Sequence, residues 1–258
     1  MALDIPALFA PAARIEHVVV EVGFGGGDCL VPLAQELLAT RPDVGLIGCE
    51  WHMASMGGAL ARLNAAGVQR NVRVFRGDVI HHLRAGWFGP GSVDEVLVVC
   101  PDPWPKEADW LRRVVNPESV RMLASCVKPG GFLHVATDVL DYARWVGRVM
   151  AEEGEAWEAC PRPQEGGSVL AGTRAKPLRY RGEEEGEGEG DEDEAPEREV
   201  EEEEGELPSY YRQSPQLVAE VYGLLPERPR WRPVTRYEYR GATELGHSIY
   251  DLCYRRKA

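Results

Sequence analysis

Short apolar runs alternate with amphipathic stretches through the first half of the chain. The apolar runs predict strands, and the stretches between them, in which apolar residues recur at helical spacing, predict helices. The five predicted strands are 17–23 (HVVVEVG), 44–50 (VGLIGCE), 71–78 (NVRVFRGD), 93–100 (VDEVLVVC) and 130–138 (GGFLHVATD). The predicted helices span 28–39, 52–66, 79–85, 116–127 and 139–153.

Strands that are apolar on both faces are typical of a parallel sheet covered by helices on both sides. The pattern therefore predicts a doubly wound α/β fold with a mainly parallel sheet, in which ligands bind beyond the carboxyl ends of the strands. A later helix is predicted at 214–225. The final run, 247–256 (HSIYDLCYRR), predicts a strand that returns to the sheet, antiparallel and at or near its edge.

The alternation stops after Cys160. Residues 161–182 are rich in Gly, Pro and Arg, and residues 183–206 form a Glu/Gly run with almost no apolar side chains. Such segments cannot bury enough apolar surface to order themselves, so 161–206 is predicted to be a largely disordered insert. We predict one domain, with 1–160 as its core and 207–258 as its C-terminal part.

The acidic run dominates the charge of the chain. The 258 residues carry a net charge of −13, but 183–206 hold sixteen acids and one arginine, so the remainder has a charge of +2. The body of the protein is therefore mildly basic. We favour the interpretation of the acidic run as a solvated spacer; the alternative is a polyanion that competes for a basic site.

Other compositional features exclude several classes of protein. No apolar run approaches the length of a membrane span, and the N-terminal residues do not resemble a secretory signal or transit peptide. We expect no membrane association and a cytoplasmic location, with an organelle as the alternative. The six cysteines contain no C-x-x-C pair and the six histidines lack ligand spacing, so we expect neither a metal site nor a disulfide framework.

Each of the first three predicted strands ends in glycines or acids. Glycines allow a tight turn and the close approach of a ligand to a helix N-terminus. A carboxylate at the end of the second strand can accept from ribose hydroxyls, and one at the end of the third can accept from an adenine amino group. Because these groups converge on one crevice, an adenosyl ligand is favoured over packing and capping roles. The residues are Glu21, Gly23, Gly25 and Gly27 in EVGFGGGD, then Glu50, and Asp78 after Gly77.

The fourth predicted strand runs into PDPWPK, residues 101–106. A residue before proline is disfavoured in the helical region, so this hexapeptide is predicted to be extended and stiff. Asp102, Trp104 and Lys106 would then have little conformational freedom to lose on binding. A carboxylate, an aromatic plane and a cation suit a nucleobase with its phosphate, and a purely structural loop is the alternative.

Two further polar groups occur towards the C-terminus. The fifth predicted strand ends at Thr137 and Asp138. Residues 228–240 carry five arginines interleaved with aromatic residues. This stretch can be a phosphate-tracking surface, but composition favours the face of a solvated strand.

These segments together resemble the tRNA (guanine-N7-)-methyltransferases of the bacterial, single-subunit type. The matching pieces are EVGFGGG, GCEWH, GDV, PDPWPK, ATD and RPVTRYE…RG…LGHSIYDL, in family order. The resemblance implies a class I, Rossmann-like methyltransferase fold. It also implies methyl transfer from S-adenosylmethionine to N7 of a guanine in the variable loop of tRNA, by a monomer or homodimer.

The resemblance assigns roles to individual residues. It implies that Asp102 is the catalytic residue and that no metal takes part. The cofactor-binding positions would be Glu21, Gly23, Gly25, Gly27, Glu50, Asp78 and Asp102. The tRNA-binding positions would be Lys106, Asp138, Thr235, Arg236, Tyr237 and Glu238.

The chain departs from the family directly after PDPWPK. A basic tract is usual there, whereas this chain continues with residues 107–111, EADWL, and keeps only Arg112 and Arg113. Two alternatives therefore stay open. One is a non-catalytic RNA-binding or partner protein of the same fold, and the other is a methyltransferase for another substrate.

Overall fold

A mixed sheet of seven strands forms the centre of the computed structural model, which describes residues 2–163, 167–174 and 209–258. The strands are β1 His17–Val22, β2 Val44–Glu50, β3 Val72–Arg76, β4 Val93–Val99, β5 Val127–Thr137, β6 Trp157–Ala159 and β7 Tyr250–Arg256. Their order in the sheet is β3-β2-β1-β4-β5-β7-β6. Strands β1 to β5 are parallel, and β7 is antiparallel to both of its neighbours.

Helices connect the parallel strands. Those of the described residues are α1 Ile5–Phe9, α2 Leu30–Thr40, α3 Met53–Ala66, α4 Val79–Arg84, α5 Pro117–Cys126, α6 Leu140–Glu152, α7 Pro215–Glu220 and α8 Arg236–Glu244. The five helices predicted in the first half of the chain are confirmed, each end lying within two residues of its predicted position. None of the described helices is long and apolar enough to cross a membrane.

Apolar cores lie on both faces of the sheet. Val18 and Val20 of β1 belong to one buried cluster, which includes residues of α5 and α6. Val19 belongs to a second cluster, built with α2 and α3. Because successive strand residues point to opposite faces, the two clusters cover the two sides of the sheet. The predicted doubly wound α/β fold is confirmed.

The last strand returns to the sheet as predicted. β7 pairs antiparallel with β5, so that Phe132 lies opposite Arg255 and Thr137 lies opposite Tyr250. It is the last strand but one, because β6 pairs with its outer side. β6 was not predicted: it is only three residues long, which is too short for a period of two to be recognised.

Part of the predicted disordered insert is folded against the sheet. Glu95 is fully buried in β4, and its Oε1 accepts hydrogen bonds from the Ser168 hydroxyl at 2.8 Å and from the backbone N–H groups of Val169 and Leu170. Leu170 itself is fully buried. Residues 167–174 are therefore an ordered part of a segment predicted to be largely disordered, because a buried carboxylate needs donors and this turn supplies them. Residues 164–166 and 175–206, including the acidic run, lie outside the described residues.

Two predictions for the C-terminal part also need correction. The helix predicted at 214–225 is shorter, since α7 ends at Glu220 and Gly223 adopts a positive φ of 83°. The favoured strand face within 228–240 is wrong, because residues from Arg236 onward form α8. A capping box between Thr235 and Glu238 starts this helix. The pattern of polar and apolar residues did not predict a helix here.

Candidate active site

The carboxyl ends of the central parallel strands lie level with one another. Val22 of β1 pairs with Cys49 of β2 on one side and with Val98 of β4 on the other. The segments that follow these strands therefore begin at the same edge of the sheet. This register brings together the glycine turn after β1, Glu50 at the end of β2, Asp78 after β3 and the PDPWPK loop after β4.

The glycine turn is tightly packed at one position and open at two others. Gly23, Gly25 and Gly27 have φ values of 72°, 52° and 87°, in the left-handed region that favours glycine. A Cβ on Gly27 would lie 3.0 Å from Val31 and 3.2 Å from Ala59, so this glycine lets α2 and α3 approach each other. A Cβ on Gly23 or Gly25 would have no neighbour within 4 Å among the described residues, which leaves room for a ligand.

Glu21, near the end of β1, is buried with part of its carboxyl group unpaired. It is 2% exposed, and its Oε2 has no hydrogen-bond partner within the described part of the chain. The pKa of Glu21 is raised to about 8, mainly by burial and also by the nearby carboxylates of Asp28 and Glu50, while a hydrogen bond with Cys29 acts in the opposite direction. Such a carboxyl group would gain from a ligand that brings positive charge or a hydrogen-bond donor.

Glu50 and Asp78 both accept backbone hydrogen bonds. The two carboxylate oxygens of Glu50 accept from the N–H of Gly25 at 2.8 Å and from the N–H of His52 at 2.7 Å, which ties the glycine turn to β2. Asp78 is exposed and caps α4 by accepting from the N–H of Ile80 at 2.9 Å. Capping is therefore an observed role of Asp78. Each carboxylate oxygen can accept a second hydrogen bond, so these contacts leave capacity for a ligand. The predicted roles of Glu50 and Asp78 in cofactor binding stay predictions.

The backbone of the PDPWPK loop differs from the prediction. Cys100 and Trp104 have φ values of 47° and 42°, so the loop is not extended throughout. A residue before proline avoids the right-handed helical region, but these two residues adopt the left-handed region instead of the extended one. Non-glycine residues in that region are strained, and such strain is kept only where the surroundings hold the backbone in place.

Arg113 holds this loop in place. Its Nε donates to the carbonyl of Pro103 at 2.8 Å, and its Nη2 donates to the carbonyl of Trp104 at 3.0 Å. The guanidinium also lies 4.9 Å from the ring centroids of Trp110 and Trp145. Arg113 is buried, so it supports the loop and is not a free cation for RNA.

The side chains of the loop itself are accessible. Asp102 and Lys106 are exposed, and Trp104 is half-buried. The guanidinium of Arg112 lies 4.9 Å from the ring centroid of Trp104, in the geometry of a cation–π pair. The loop therefore presents a carboxylate, an amine and an arginine-covered indole next to the glycine turn.

The C-terminal part of the chain reaches the same edge of the sheet through α8. The backbone N–H of Arg236 donates to Oδ2 of Asp28, the residue after the glycine turn, at 3.0 Å. Beyond α8, Nδ1 of His247 lies 3.0 Å from Oδ2 of Asp138, which follows β5. The structure thus brings the predicted tRNA-binding run 235–238 next to the predicted cofactor turn and to Asp138.

Two of the four side chains in that run support the helix. The Thr235 hydroxyl accepts from the N–H of Glu238 at 3.3 Å, and Oε2 of Glu238 accepts from the N–H of Thr235 at 3.0 Å. Both side chains are buried, whereas Arg236 is half-buried and Tyr237 is exposed. The accessible tRNA-binding candidates in the run are therefore Arg236 and Tyr237.

A buried arginine lies between two carboxylates next to this helix. Arg232 donates from Nη1 to Glu238 at 2.6 Å, and from Nε and Nη2 to Asp251 of β7 at 2.7 and 2.8 Å. Burial alone would lower the pKa of Arg232, but Asp251 and Glu238 raise it well above its usual value. The interpretation of residues 228–240 as a phosphate-tracking surface therefore fails for this residue.

Sequence reasoning missed the structural use of Asp28, Arg113 and Arg232. In the sequence Asp28 marks only the start of the predicted helix 28–39, and the two arginines count only as positive charge. No local signal marks these residues, because their role depends on partners elsewhere in the chain. Asp28 and Arg236, for example, are 208 residues apart.

The fold and the site define a class of protein. The doubly wound sheet with an antiparallel β7 between β5 and β6, and the glycine turn after β1, are those of a class I methyltransferase. Residues 16–169 match a family model described as a putative methyltransferase. Among solved structures, a putative methyltransferase from Thermoplasma acidophilum aligns with 95% of this chain and 70% of its own, with 17% identity and a TM-score of 0.44.

Relatives of known description narrow the class to a family. A tRNA (guanine-N(7)-)-methyltransferase from Methylococcus capsulatus is 32% identical over 257 residues, which cover 98% of this chain and 82% of that protein. One from Cutibacterium acnes is 32% identical over 98% of this chain and 67% of its own length. One from Paramagnetospirillum magneticum is 42% identical over 55% of this chain and 57% of its own. The chain belongs to the tRNA (guanine-N7-)-methyltransferase family.

Proposed function

We propose that the protein transfers a methyl group from S-adenosylmethionine to N7 of a guanine in the variable loop of tRNA. The observation that carries this proposal is the meeting of the glycine turn, the PDPWPK loop and the start of α8 at one sheet edge, in a chain of this family. We further propose that it acts in the cytoplasm, as a monomer or homodimer.

The residues at the sheet edge fit S-adenosylmethionine. The unpaired Oε2 of Glu21 and the open space beside Gly23 and Gly25 are the two observations that support the fit. We assign Glu21, Glu50 and Asp78 to the cofactor, because carboxyl groups suit a ligand with positive charge and hydroxyl and amino donors. When bound, S-adenosylmethionine supplies an electrophilic methyl group on a sulfonium centre.

The task of the protein is then mainly one of position and charge. N7 of guanine carries a lone pair in the ring plane and no proton, so its attack needs no general base. The PDPWPK loop would hold the guanine in line with the methyl group, and such alignment supplies much of the rate. Asp102 would accept from the N–H groups of guanine and attract the purine as it becomes cationic. Lys106 and Arg236 would supply positive charge for phosphates.

Replacing Asp102 tests this assignment. We expect Asp102→Ala to lower turnover at least about 100-fold, since it removes the charge next to the developing cation. Folding should be spared because the side chain is exposed. The measurement is transfer of labelled methyl groups to bulk tRNA, followed by chemical cleavage at 7-methylguanosine, with melting temperature as the folding check.

A matched control is Asp141→Ala, which removes an exposed acid on α6. It should methylate tRNA like the wild type. If Asp102→Ala also kept near-wild-type methylation, the assignment of Asp102 would be wrong.

Two measurements on the wild-type protein separate the alternatives. A non-catalytic RNA-binding or partner protein would show no calorimetric binding of S-adenosylmethionine. A methyltransferase for another substrate would bind the cofactor but leave bulk tRNA unmodified. Chemical cleavage of the tRNA at 7-methylguanosine, after incubation of the protein with tRNA and S-adenosylmethionine, would exclude both alternatives.

A further inference from the structure

Asp28 connects two parts of the site that are far apart in sequence. It follows the glycine turn directly and is 6% exposed. Its Oδ1 accepts from Nη1 of Arg62 on α3 at 2.9 Å, and its Oδ2 accepts from the backbone N–H of Arg236 on α8 at 3.0 Å. We call Asp28, Arg62 and Arg236 the Asp28 bridge.

On the α8 side, the bridge completes the start of the helix. The first N–H groups of a helix have no partner within it. The Thr235 hydroxyl accepts from the N–H of Glu238, and the Asp28 carboxylate accepts from the N–H of Arg236. A carboxylate at this end also interacts favourably with the helix dipole. The position of α8 therefore depends on a side chain that belongs to the glycine turn.

On the turn side, the bridge holds the backbone that faces the cofactor. Nη1 of Arg62 donates to the carbonyl of Gly26 at 2.9 Å as well as to Asp28. A Cβ on Gly26 would lie 3.3 Å from this nitrogen and 4.0 Å from Nη2 of Arg236. A displacement of the turn would therefore reach α8 through Asp28, and a displacement of α8 would reach the turn.

We propose that Asp28 is a positioning residue, which fixes α8 against the glycine turn and thereby couples binding of the methyl donor to binding of tRNA. This inference rests on the proposed function for the identity of the two ligands. Methyl transfer requires the acceptor and the donor to be aligned within a fraction of an ångström, so a device that fixes one binding segment against the other favours the reaction. By linkage, each ligand then tightens the binding of the other by the same factor.

The test compares wild type with Asp28→Asn, which keeps the shape of the side chain and removes its charge. Calorimetry measures the Kd of S-adenosylhomocysteine, a non-reactive probe, with and without tRNA. In the wild type we expect tRNA to tighten this Kd about fivefold or more, the lower limit of typical coupling. In Asp28→Asn we expect a factor below about 2, kcat lowered about tenfold, and the Kd without tRNA changed less than about threefold.

The matched control is Asp43→Asn. Asp43 also binds an arginine through both of its oxygens, since Arg41 donates to them at 3.0 and 2.8 Å, but it precedes β2 at the opposite edge of the sheet. It should leave kcat and the coupling factor unchanged. If Asp28→Asn does not fold, Arg62→Gln is the second variant. It removes the ion pair between Arg62 and Asp28 at a partly exposed side chain, and it should also lower the coupling factor.

Hydrogen exchange provides a readout that does not depend on methylation. Binding of S-adenosylhomocysteine should slow amide exchange in residues 236–244 of the wild type and have little effect in Asp28→Asn. If the wild type failed to methylate tRNA, the proposed function would fall while this comparison still tested the bridge. The inference is overturned if Asp28→Asn retains the wild-type coupling factor and exchange response. This holds even if kcat and the affinity for S-adenosylhomocysteine both fall in that variant.

Discussion

Arg232 carries two ion pairs in a region from which water is excluded. Its partners Glu238 and Asp251 are also buried, so the three charges depend on one another. Breaking such a group by removing one member is costly, because the charges left behind have neither water nor a partner. The group also joins α8 to β7, and so fixes a predicted tRNA-binding segment to the sheet.

We expect Arg232→Met to lower the free energy of unfolding by about 3–5 kcal/mol, since it leaves two buried carboxylates without their cation. Denaturant unfolding measures this change. Arg84→Met is the matched control, because Arg84 also pairs through two nitrogens, with Glu118, but both side chains are exposed. Its loss should stay below about 1 kcal/mol, and equal losses in the two variants would contradict the argument.

Glu21 makes stability depend on pH in a direction that can be tested. Its pKa is raised from 4.5 to about 8 by burial, so between these values the folded protein holds a proton that the unfolded chain has released. Its contribution is complete below pH 4.5 and is lost as pH rises through about 8. In the absence of ligands, the free energy of unfolding should therefore fall by up to about 1.4 kcal/mol per pH unit from this group.

The variant Glu21→Gln should remove that slope, because an amide does not titrate. Denaturant unfolding at several pH values between 5 and 8 measures it, and Glu158→Gln, an exposed acid of β6, should keep the wild-type slope. Identical pH profiles for wild type and Glu21→Gln would show that Glu21 ionises normally.

At the scale of elements, the PDPWPK loop illustrates how far local rules reach. Three prolines correctly predicted an irregular, restricted segment after β4, because proline cannot continue a sheet. The conformation within that segment was predicted wrongly at Cys100 and Trp104. Local sterics disfavour the right-handed helical region but do not distinguish the extended region from the left-handed one. Here Arg113 stabilises the observed conformation by donating to two carbonyls of the loop.

Cys160 follows β6 directly and lies beside Cys253 of β7. The N–H of Cys160 donates to the carbonyl of Cys253 at 2.9 Å. A hydrogen bond with the Cys253 thiol lowers the pKa of Cys160 to about 6, whereas burial raises the pKa of the other five cysteines. Cys160 is also partly exposed.

We expect iodoacetamide at neutral pH to label Cys160 before any other cysteine, because the thiolate is the nucleophile. The rate should rise with a midpoint near pH 6, and peptide mass spectrometry identifies the site. Cys253→Ala should slow labelling at pH 7 about tenfold, while Cys253→Ser, which keeps a donor, should slow it less. A labelling midpoint above pH 8 in the wild type would refute the effect of Cys253.

At the scale of the whole molecule, charge is distributed unevenly along the chain. Residues 183–206 carry a charge of −15, and the remainder of the chain carries +2. tRNA is a polyanion, so an acidic run free to approach its binding site would compete with it. If the run is a solvated spacer, salt would screen its charges from the tRNA-binding site, since the Debye length is about 8 Å at physiological salt.

We favour the spacer and therefore expect deletion of 183–206 to change the KM for tRNA by less than about twofold at physiological salt. A companion variant that replaces the run with a Gly/Ser linker of equal length keeps the loop length constant. Methylation rates at fixed salt measure both variants. A KM several-fold lower in both would favour the competing polyanion.

Local sequence patterns are sufficient to predict the layout of this protein. Helix and strand periodicity and the polar residues at strand ends are local properties, so they located the parallel strands, the glycine turn, Glu50, Asp78 and the PDPWPK loop. The roles of the charged residues, in contrast, depend on contacts between distant parts of the chain. Asp28, Arg113 and Arg232 have their roles because of partners that lie between 6 and 208 residues away, and the free energy of a buried charge depends on those partners and not on its neighbours in sequence.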